Sequence, residues 1–451
     1  MSNPLLEFER LPPFSRIRPE HVEPAIERLI ADNRAGVDRL LSEVSEPDWF
    51  NFIEPMEEME ERLSRAWSPV SHLHAVMDSD PLRQAYNACL PKLSDYGTEM
   101  GQNERLFRAY EKVSEKEEEL DRPQRKLLQN ALRDFRLSGV DLPAEKKARF
   151  KEIASALAET TARFEENLLD ATNAWQKLVT DESRLAGLPR SALELARQTA
   201  EQRGEEGWMF TLEFPSYHPV LTYADDRRLR RELYEAYSTR ASDQGPDAGR
   251  FDNSEVMESI LALRHELARL LGYANYAERS LVTKMARSPE EVMSFLRDLA
   301  RRARSQAEKE MDELRAFARE RFGVTDLEAW DLPYYSEKLR QHRYSISQEE
   351  LKPWFPETRV IPGMFEVLGR LFGVEIRQSD EPVQTWHDDV RFYEVRDLSG
   401  ELLGQFYFDL YARPHKRGGA WMADCLSRMK TRNREQIPVA SMTCNFTPPV
   451  A

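Results

Sequence analysis

The stretch Ser288 to Gly323, "SPEEVMSFLRDLARRARSQAEKEMDELRAFARERFG", decides what kind of molecule this is. Ser288 is an N-cap residue, Pro289 suits the first helical position, and Glu291 stands where a capping-box carboxylate belongs. Val292, Phe295, Leu299, Ala303, Ala307, Met311, Leu314 and Phe317 then mark one helical face, and Gly323 supplies a left-handed stop. Such a helix is roughly 34 residues, or about 50 Å long. Helices of that length build elongated bundles, so the fold class is mainly α.

Working outward, residues 20 to about 350 read as helix after helix. Phe150, Ile153, Leu157, Thr161, Phe164 and Leu168 form a seam that calls for an antiparallel partner helix. Another helix spans about 253 to 271, with Asn253 as its cap and Val256, Ile260, Leu263, Leu267 and Leu270 inward. The Gly-, Asp- and Asn-rich stretch 241 to 254 is the candidate mobile segment. Near residue 374 the pattern changes to strands: "RFYEVRD" (391 to 397), "LLGQFYFDLYA" (402 to 412) and "PVASMTCNF" (438 to 446), with "DLSGE" a hairpin turn between the first two. These imply a small antiparallel sheet appended to a large multi-helix body. Phe406, Phe408 and Leu410 give the sheet an apolar face that needs a cover. Nothing after them in the sequence offers one, so a sticky exposed patch is expected. Three regions follow: a helical region at 1–180, a long-helix region at 181–373 and a sheet region at 374–451.

The chain of 451 residues carries 64 Lys and Arg against 79 Asp and Glu, a formal net charge of −15. A surface this acidic repels phosphate backbones and anionic lipid, which disfavours nucleic acid and membrane surfaces as partners. Cys89, Cys425 and Cys444 are odd in number and widely spaced, as in a reducing compartment. The start, "MSNPLLEFERLPPFSRI", has no basic-then-apolar signal pattern, and no apolar run reaches the ~18 residues of a span. A cytoplasmic location is expected.

No Walker loop, dinucleotide fingerprint, nucleophile elbow or C-x-x-C pair occurs. His265-Glu266 begins like a zinc-protease helix, but the second histidine's place holds Arg269, a cation where a ligand would sit. His72 and His74, two apart on a helix, point to different sides. No metal site assembles within the sequence. The most distinctive segment is "GQFYFDLYARPHKRGGAWMADC" (404 to 425): a core strand, a basic turn and then a loop. Gly418 and Gly419, beside Lys416 and Arg417, could form a flexible rim that closes over an anionic or carboxylate-bearing ligand.

That segment, together with "YHPVLTYADDRRLRRELYEAYSTRASDQGP" (217 to 246), "DLPYYSEKLRQHRYSISQEELKPWFP" (331 to 356), "WHDDVRFYEV" (386 to 395) and "NFTPP" (445 to 449), resembles the thimet oligopeptidase family of zinc metallopeptidases. The resemblance runs over essentially the whole chain. It implies a neurolysin-like peptidase fold, a monomer, and one zinc held by a His-Glu-x-x-His helix plus a further glutamate. Zinc of this kind lowers the pKa of a bound water towards ~7, and the motif glutamate takes its proton. In the family that helix follows the strand resembling Met442 to Phe446, so the resemblance implies a truncated sequence whose zinc ligands and catalytic residues would lie after Ala451. The chain alone is then expected to be inactive and not to bind zinc stably. What the resemblance leaves to it is peptide binding: an extended short, unfolded peptide along an edge strand at Met442, Thr443, Cys444, Asn445 and Phe446, with Gly418 and Gly419 alongside. The 1–180 region would form one wall of a deep channel, and the long helices at 146 to 170 and 289 to 322 would be walls that admit short peptides and exclude folded proteins. A catalytically inactive product that binds peptides or a partner through the same strand is the alternative.

Overall fold

The computed structural model describes residues 3–8 and 10–449, apart from the side chain of Glu117. Helices dominate. The long helix is Pro289–Phe322; Ser288 Oγ accepts from the Glu291 N–H at 3.2 Å, and Gly323 ends it at φ +70°. The capping box does not close, because Glu291 turns back to accept from the Arg287 N–H at 2.8 Å. The apolar face predicted along this helix is packed only at its far end. There Leu314 and Ala318 meet Tyr334 and Tyr335 of the Leu332–Tyr344 helix, while Phe295 and Leu299 remain 65% and 54% exposed.

The Ala144–Ala174 helix has the antiparallel neighbour its seam calls for, Ser254–Leu270. Arg149 near the start of one pairs with Glu266 near the end of the other at 2.7 Å, and Asn167 donates to Asn253 at 2.8 Å from the opposite ends. Phe150, Ile153 and Leu267 close the core between them. Asn253 occupies the cap position but its side chain is used elsewhere, donating to the Phe164 carbonyl; Asp252 receives the Ser254 N–H instead. The Asn253 N–H also reaches the Ala241 carbonyl, which ties both ends of the 241–253 loop together. A two-stranded antiparallel piece, Gln176–Val179 with Trp208–Thr211, interrupts the helical region where the sequence pattern predicted helices alone.

The main sheet has five strands in the order Val374–Gln378, Arg391–Asp397, Leu402–Tyr411, Val439–Phe446, Trp421–Leu426. Three of the four pairings are antiparallel, as predicted; the other, Gln405 with Val439 through Asp409 with Thr443, is parallel. Residues 421 to 426, read from the sequence as loop, form the fifth strand.

Both sheet faces are covered, contrary to the exposed patch predicted above. Phe406, Phe408 and Leu410 are 8%, 6% and 6% exposed. Their cover is the Glu357–Phe372 helix, through Ile361 and Phe365, which precedes the sheet in sequence rather than following it. The other face, with Phe392, Tyr407, Cys425 and Val439, packs on Phe14 and on the N-terminal helices Pro19–Glu43 and Glu54–Val76. Phe408 touches Phe365, Tyr393 and Phe406 ring to ring. Truncation of Phe408 to Ala is therefore expected to destabilise the chain by about 3–5 kcal/mol, read as a lower midpoint in urea unfolding; an unchanged midpoint would mean that this face is not the closed core described.

Candidate functional site

Where the 439–446 strand ends, the loop after Tyr411 folds back beside it, and the two face the last turns of the 144–174 helix. A cleft of about 680 Å³ lies between them. Helix residues Glu165, Leu168, Leu169 and Thr172 form one wall; Arg417, Gly418, Gly419, Cys444, Asn445 and Phe446 form the other. Leu212, Phe214, Tyr237 and Arg240 close the floor.

Hydrogen bonds to the loop's main chain hold it in place. The Asn445 amide donates to the carbonyls of Gly419 and Arg417 at 2.7 and 3.0 Å, and the Arg417 N–H donates to the Ala75 carbonyl at 2.9 Å. Gly419 sits at φ +99°, a conformation that side chains with a Cβ rarely adopt. Across the cleft mouth, the Arg417 guanidinium meets Glu165 at 2.7 Å. Burial pushes the Cys444 thiol up, with Asp409 adding to the rise and Lys416 opposing it, so Cys444 is a protonated wall residue and not a thiolate nucleophile. Burial likewise raises the Glu213 carboxyl, against the charges of Arg203 and His415.

The structure thus brings together Gly418, Gly419, Cys444, Asn445 and Phe446 of the predicted binding residues. It does not bring Met442 and Thr443 with them. Thr443 is 1% exposed, on the strand face that packs towards the N-terminal helices, and Met442 lies further back opposite Met422. The strand itself is not the edge that the sequence reading expected: Leu402–Tyr411 flanks it on one side and Trp421–Leu426 on the other. The edge is the 421–426 strand. The Asp424 carbonyl, on its outer side, accepts from Ser68 Oγ at 2.6 Å. Alternation puts the Met422 N–H and C=O on that same outer side. A second, smaller cavity of about 300 Å³ runs along this strand, lined by Trp67, Ser71, His72, Tyr86, Arg417, Trp421 and Ala423.

Of the two helices expected to wall a channel, 146–170 borders this cleft and 289–322 contributes no residue to its lining; the individual residues of the helix wall and the floor were not foreseen. Leu168 was read as part of a buried seam, yet it is 37% exposed and lines the cleft. Tyr237 and Arg240 lie within "YEAYSTRASDQGP", one of the stretches that carries the family resemblance, and that was the available signal.

The profile of Peptidase family M3 matches residues 220–451, and that of the Neurolysin/Thimet oligopeptidase N-terminal domain matches residues 26–147. The chain belongs to peptidase family M3. Among similar M3-type proteins, Oligopeptidase A of Salmonella typhimurium is 52% identical over 453 residues, spanning 100% of this chain and 66% of that protein. Dipeptidyl carboxypeptidase of Escherichia coli is 29% identical over 458 residues, again across 100% of this chain and 66% of the relative. The chain therefore spans just under two thirds of the length of these relatives. Among solved structures, an oligoendopeptidase F superposes with a TM-score of 0.51 at 16% identity, covering 96% of this chain and 61% of that one, which shows a shared fold.

M3 peptidases are generally zinc-dependent. The residues described here do not fit such an ion: no group of three or more His, Cys, Asp or Glu side chains is placed to hold a metal. Glu266, the acid of the misleading His-Glu pair, is taken up by Arg149 through two hydrogen bonds of 2.7 and 2.8 Å. No hydrolytic step is therefore assigned to these side chains.

His72, beneath the second cavity, has a measurable consequence. It is 7% exposed, packed edge-on against Phe14 and Trp386, and neither ring nitrogen has a hydrogen-bond partner among the described residues. Burial lowers its pKa to about 4; Asp409 opposes the drop, and Arg413 and Lys416 add to it. An imidazole that titrates near 6.5 when unfolded and near 4 when folded binds its proton first in the unfolded state. Its contribution to stability is then full above pH 6.5 and lost as pH falls towards 4, a loss on the order of 3 kcal/mol. Urea midpoints measured across that window should fall steeply in the native sequence and more gently in His72→Phe.

Proposed function

We propose that this chain serves the hydrolysis of short oligopeptides by a zinc-dependent M3 endopeptidase, in the cytoplasm and as a monomer, and that its own residues hold the peptide while ligands outside those described carry the metal. The observation behind this reading is the pairing of a cleft with a sheet edge that no further strand occupies, although Ser68 already takes the Asp424 carbonyl on it. The cleft at Gly418, Gly419 and Cys444 to Phe446 meets the 421–426 edge at Arg417, which lines both cavities. A peptide laid along that edge exchanges main-chain hydrogen bonds with Met422, and such bonds are indifferent to side-chain identity. The peptide's side chains then enter a cleft walled by the 144–174 helix. A slot bounded by a helix on one side and a sheet on the other admits an extended chain and excludes a folded domain. No helix among the described residues is long and apolar enough to cross a membrane. The second reading, a chain that binds peptides or a partner without cleaving them, is favoured by the lack of a metal-holding set among the described side chains.

Met422→Pro separates this reading from a purely structural role for the edge. The Met422 N–H faces outward, away from the ladder, so proline there leaves the sheet paired while removing the donor a docked peptide would use. Affinity for a capped, unstructured hexapeptide, read by fluorescence anisotropy, should fall roughly threefold to tenfold, with the melting temperature of the variant close to that of Met422→Ala. Equal peptide affinity in the two variants would exclude the edge as the docking line.

A further inference from the structure

The cleft contains three cations, and two of them are already matched. Lys416 is fully buried against Asp409 at 2.7 Å, and Arg417 is paired with Glu165. Arg240 is different. It lines the cleft, yet among the described residues no carboxylate lies within ion-pair distance of it; Glu213, on the same lining, is not one of its partners. Its guanidinium is nevertheless fixed in place. Nε donates to the Tyr237 carbonyl at 2.9 Å and Nη1 donates to Thr172 Oγ1 at 2.8 Å. The guanidinium carbon sits 3.7 Å from the centre of the Tyr237 ring, which stacks in turn on Tyr217 at 4.1 Å. Thr172 is itself oriented, donating to the Leu168 carbonyl at 2.8 Å.

Resting on the peptide-holding role proposed above, we propose that Arg240 is the residue through which this cleft reads a carboxylate on the bound peptide, either the free C-terminus or an acidic side chain. A guanidinium held by a ring face and two hydrogen bonds has lost its rotamer freedom before any ligand arrives, so little ordering cost remains when a carboxylate docks. Nη2 has no hydrogen-bond partner among the described residues, and beside Nη1 it offers the planar fork that carboxylates take bidentately. The surroundings strengthen the pairing: Leu168, Leu169, Leu212, Phe214 and Phe446 line the same cleft and lower the local dielectric. A role confined to stapling the 227–238 helix to the 144–174 helix would need the two hydrogen bonds but not an unmatched charge within an apolar cleft.

The test uses the full chain and acetylated hexapeptides of one sequence in two pairs: free C-terminal carboxylate against carboxamide, and an internal aspartate against asparagine with the C-terminus amidated in both. Dissociation constants come from calorimetry or anisotropy at low and high salt. The native chain is expected to favour the carboxylate roughly tenfold or more in at least one pair, and which pair does so identifies the source. In Arg240→Gln that ratio should collapse towards one while the neutral peptides bind as before. Arg240→Lys should retain part of it, since a point charge replaces a fork. Thr172→Val, which loosens the arginine without removing its charge, should shrink the ratio without abolishing it and serves if Arg240→Gln unfolds. A ratio near one in the native chain, or variants that weaken all peptides alike, overturns the assignment while leaving peptide holding intact. Failure of every peptide to bind overturns both.

Discussion

Asp409 holds the sheet, the loop and the N-terminal helices in one arrangement. It is 1% exposed and accepts hydrogen bonds from Arg413 Nη1 and Nη2 at 2.6 and 2.7 Å, from Lys416 Nζ at 2.7 Å and from Trp386 Nε1 at 2.8 Å. Burial alone would raise this carboxyl; Arg413 and then Lys416 outweigh it and hold Asp409 below the ordinary carboxylate range. A buried ion costs several kcal/mol to desolvate, and only a full set of partners offsets that. Here the second cation is absorbed by carbonyls, with Lys416 Nζ also donating to Asp409 O and Tyr411 O. Arg413 reaches on to the Val76 carbonyl, Arg417 N–H to Ala75 and Asp78 N–H to His415. The end of the 54–76 helix and the loop after Tyr411 are thereby stitched together around one carboxylate. The cleft wall at Arg417 to Gly419 inherits its position from that stitch.

Much of the local structure could be read from the sequence because the deciding signals are local. The 289–322 helix carries its serine, proline and glycine at its own ends, and the strand at 391–397 alternates over a few residues before a turn glycine. Neighbour relations were not legible in the same way. The strand at 439–446 looks like a terminal edge when read along the chain, but its partners are chosen by packing, and the next strand in space is 421–426, which precedes it. The short run "WMADCL" alternates too weakly to declare itself beside a basic, glycine-containing turn. The cover over Phe406 and Phe408 was missed for the same reason: Ile361 and Phe365 stand some forty residues upstream.

The site divides along similar lines. Gly418, Gly419, Cys444, Asn445 and Phe446 come from two segments near in sequence and paired through Asn445, and those the sequence could associate. Glu165 and Thr172 come from one helix, Tyr237 from another and Arg240 from the turn just after it, and only the fold sets them opposite. Leu168 shows the limit of periodicity most plainly. It keeps step with a buried seam, but the neighbouring Ser254–Leu270 helix begins opposite Asn167, so the side chain one position on opens into the cleft. A seam predicts which face is apolar; where the partner helix stops is a property of the partner.

The core formed by Phe14, Ile26, Leu29 and Val70 with Phe392, Tyr407 and Val439 joins parts of the polypeptide that leave the ribosome far apart in time. Ser15 meets Gln384, and Ser68 meets Asp424, across separations of 369 and 356 residues. At a translation rate of roughly 5–20 residues per second, some tens of seconds pass between the emergence of the first helices and that of the sheet they pack on. During that interval the apolar stripe of the 19–43 helix has only its helical neighbours for company. Biogenesis of this chain is thus a problem of waiting, and a holding chaperone acting on the nascent N-terminal helices would bear directly on its yield.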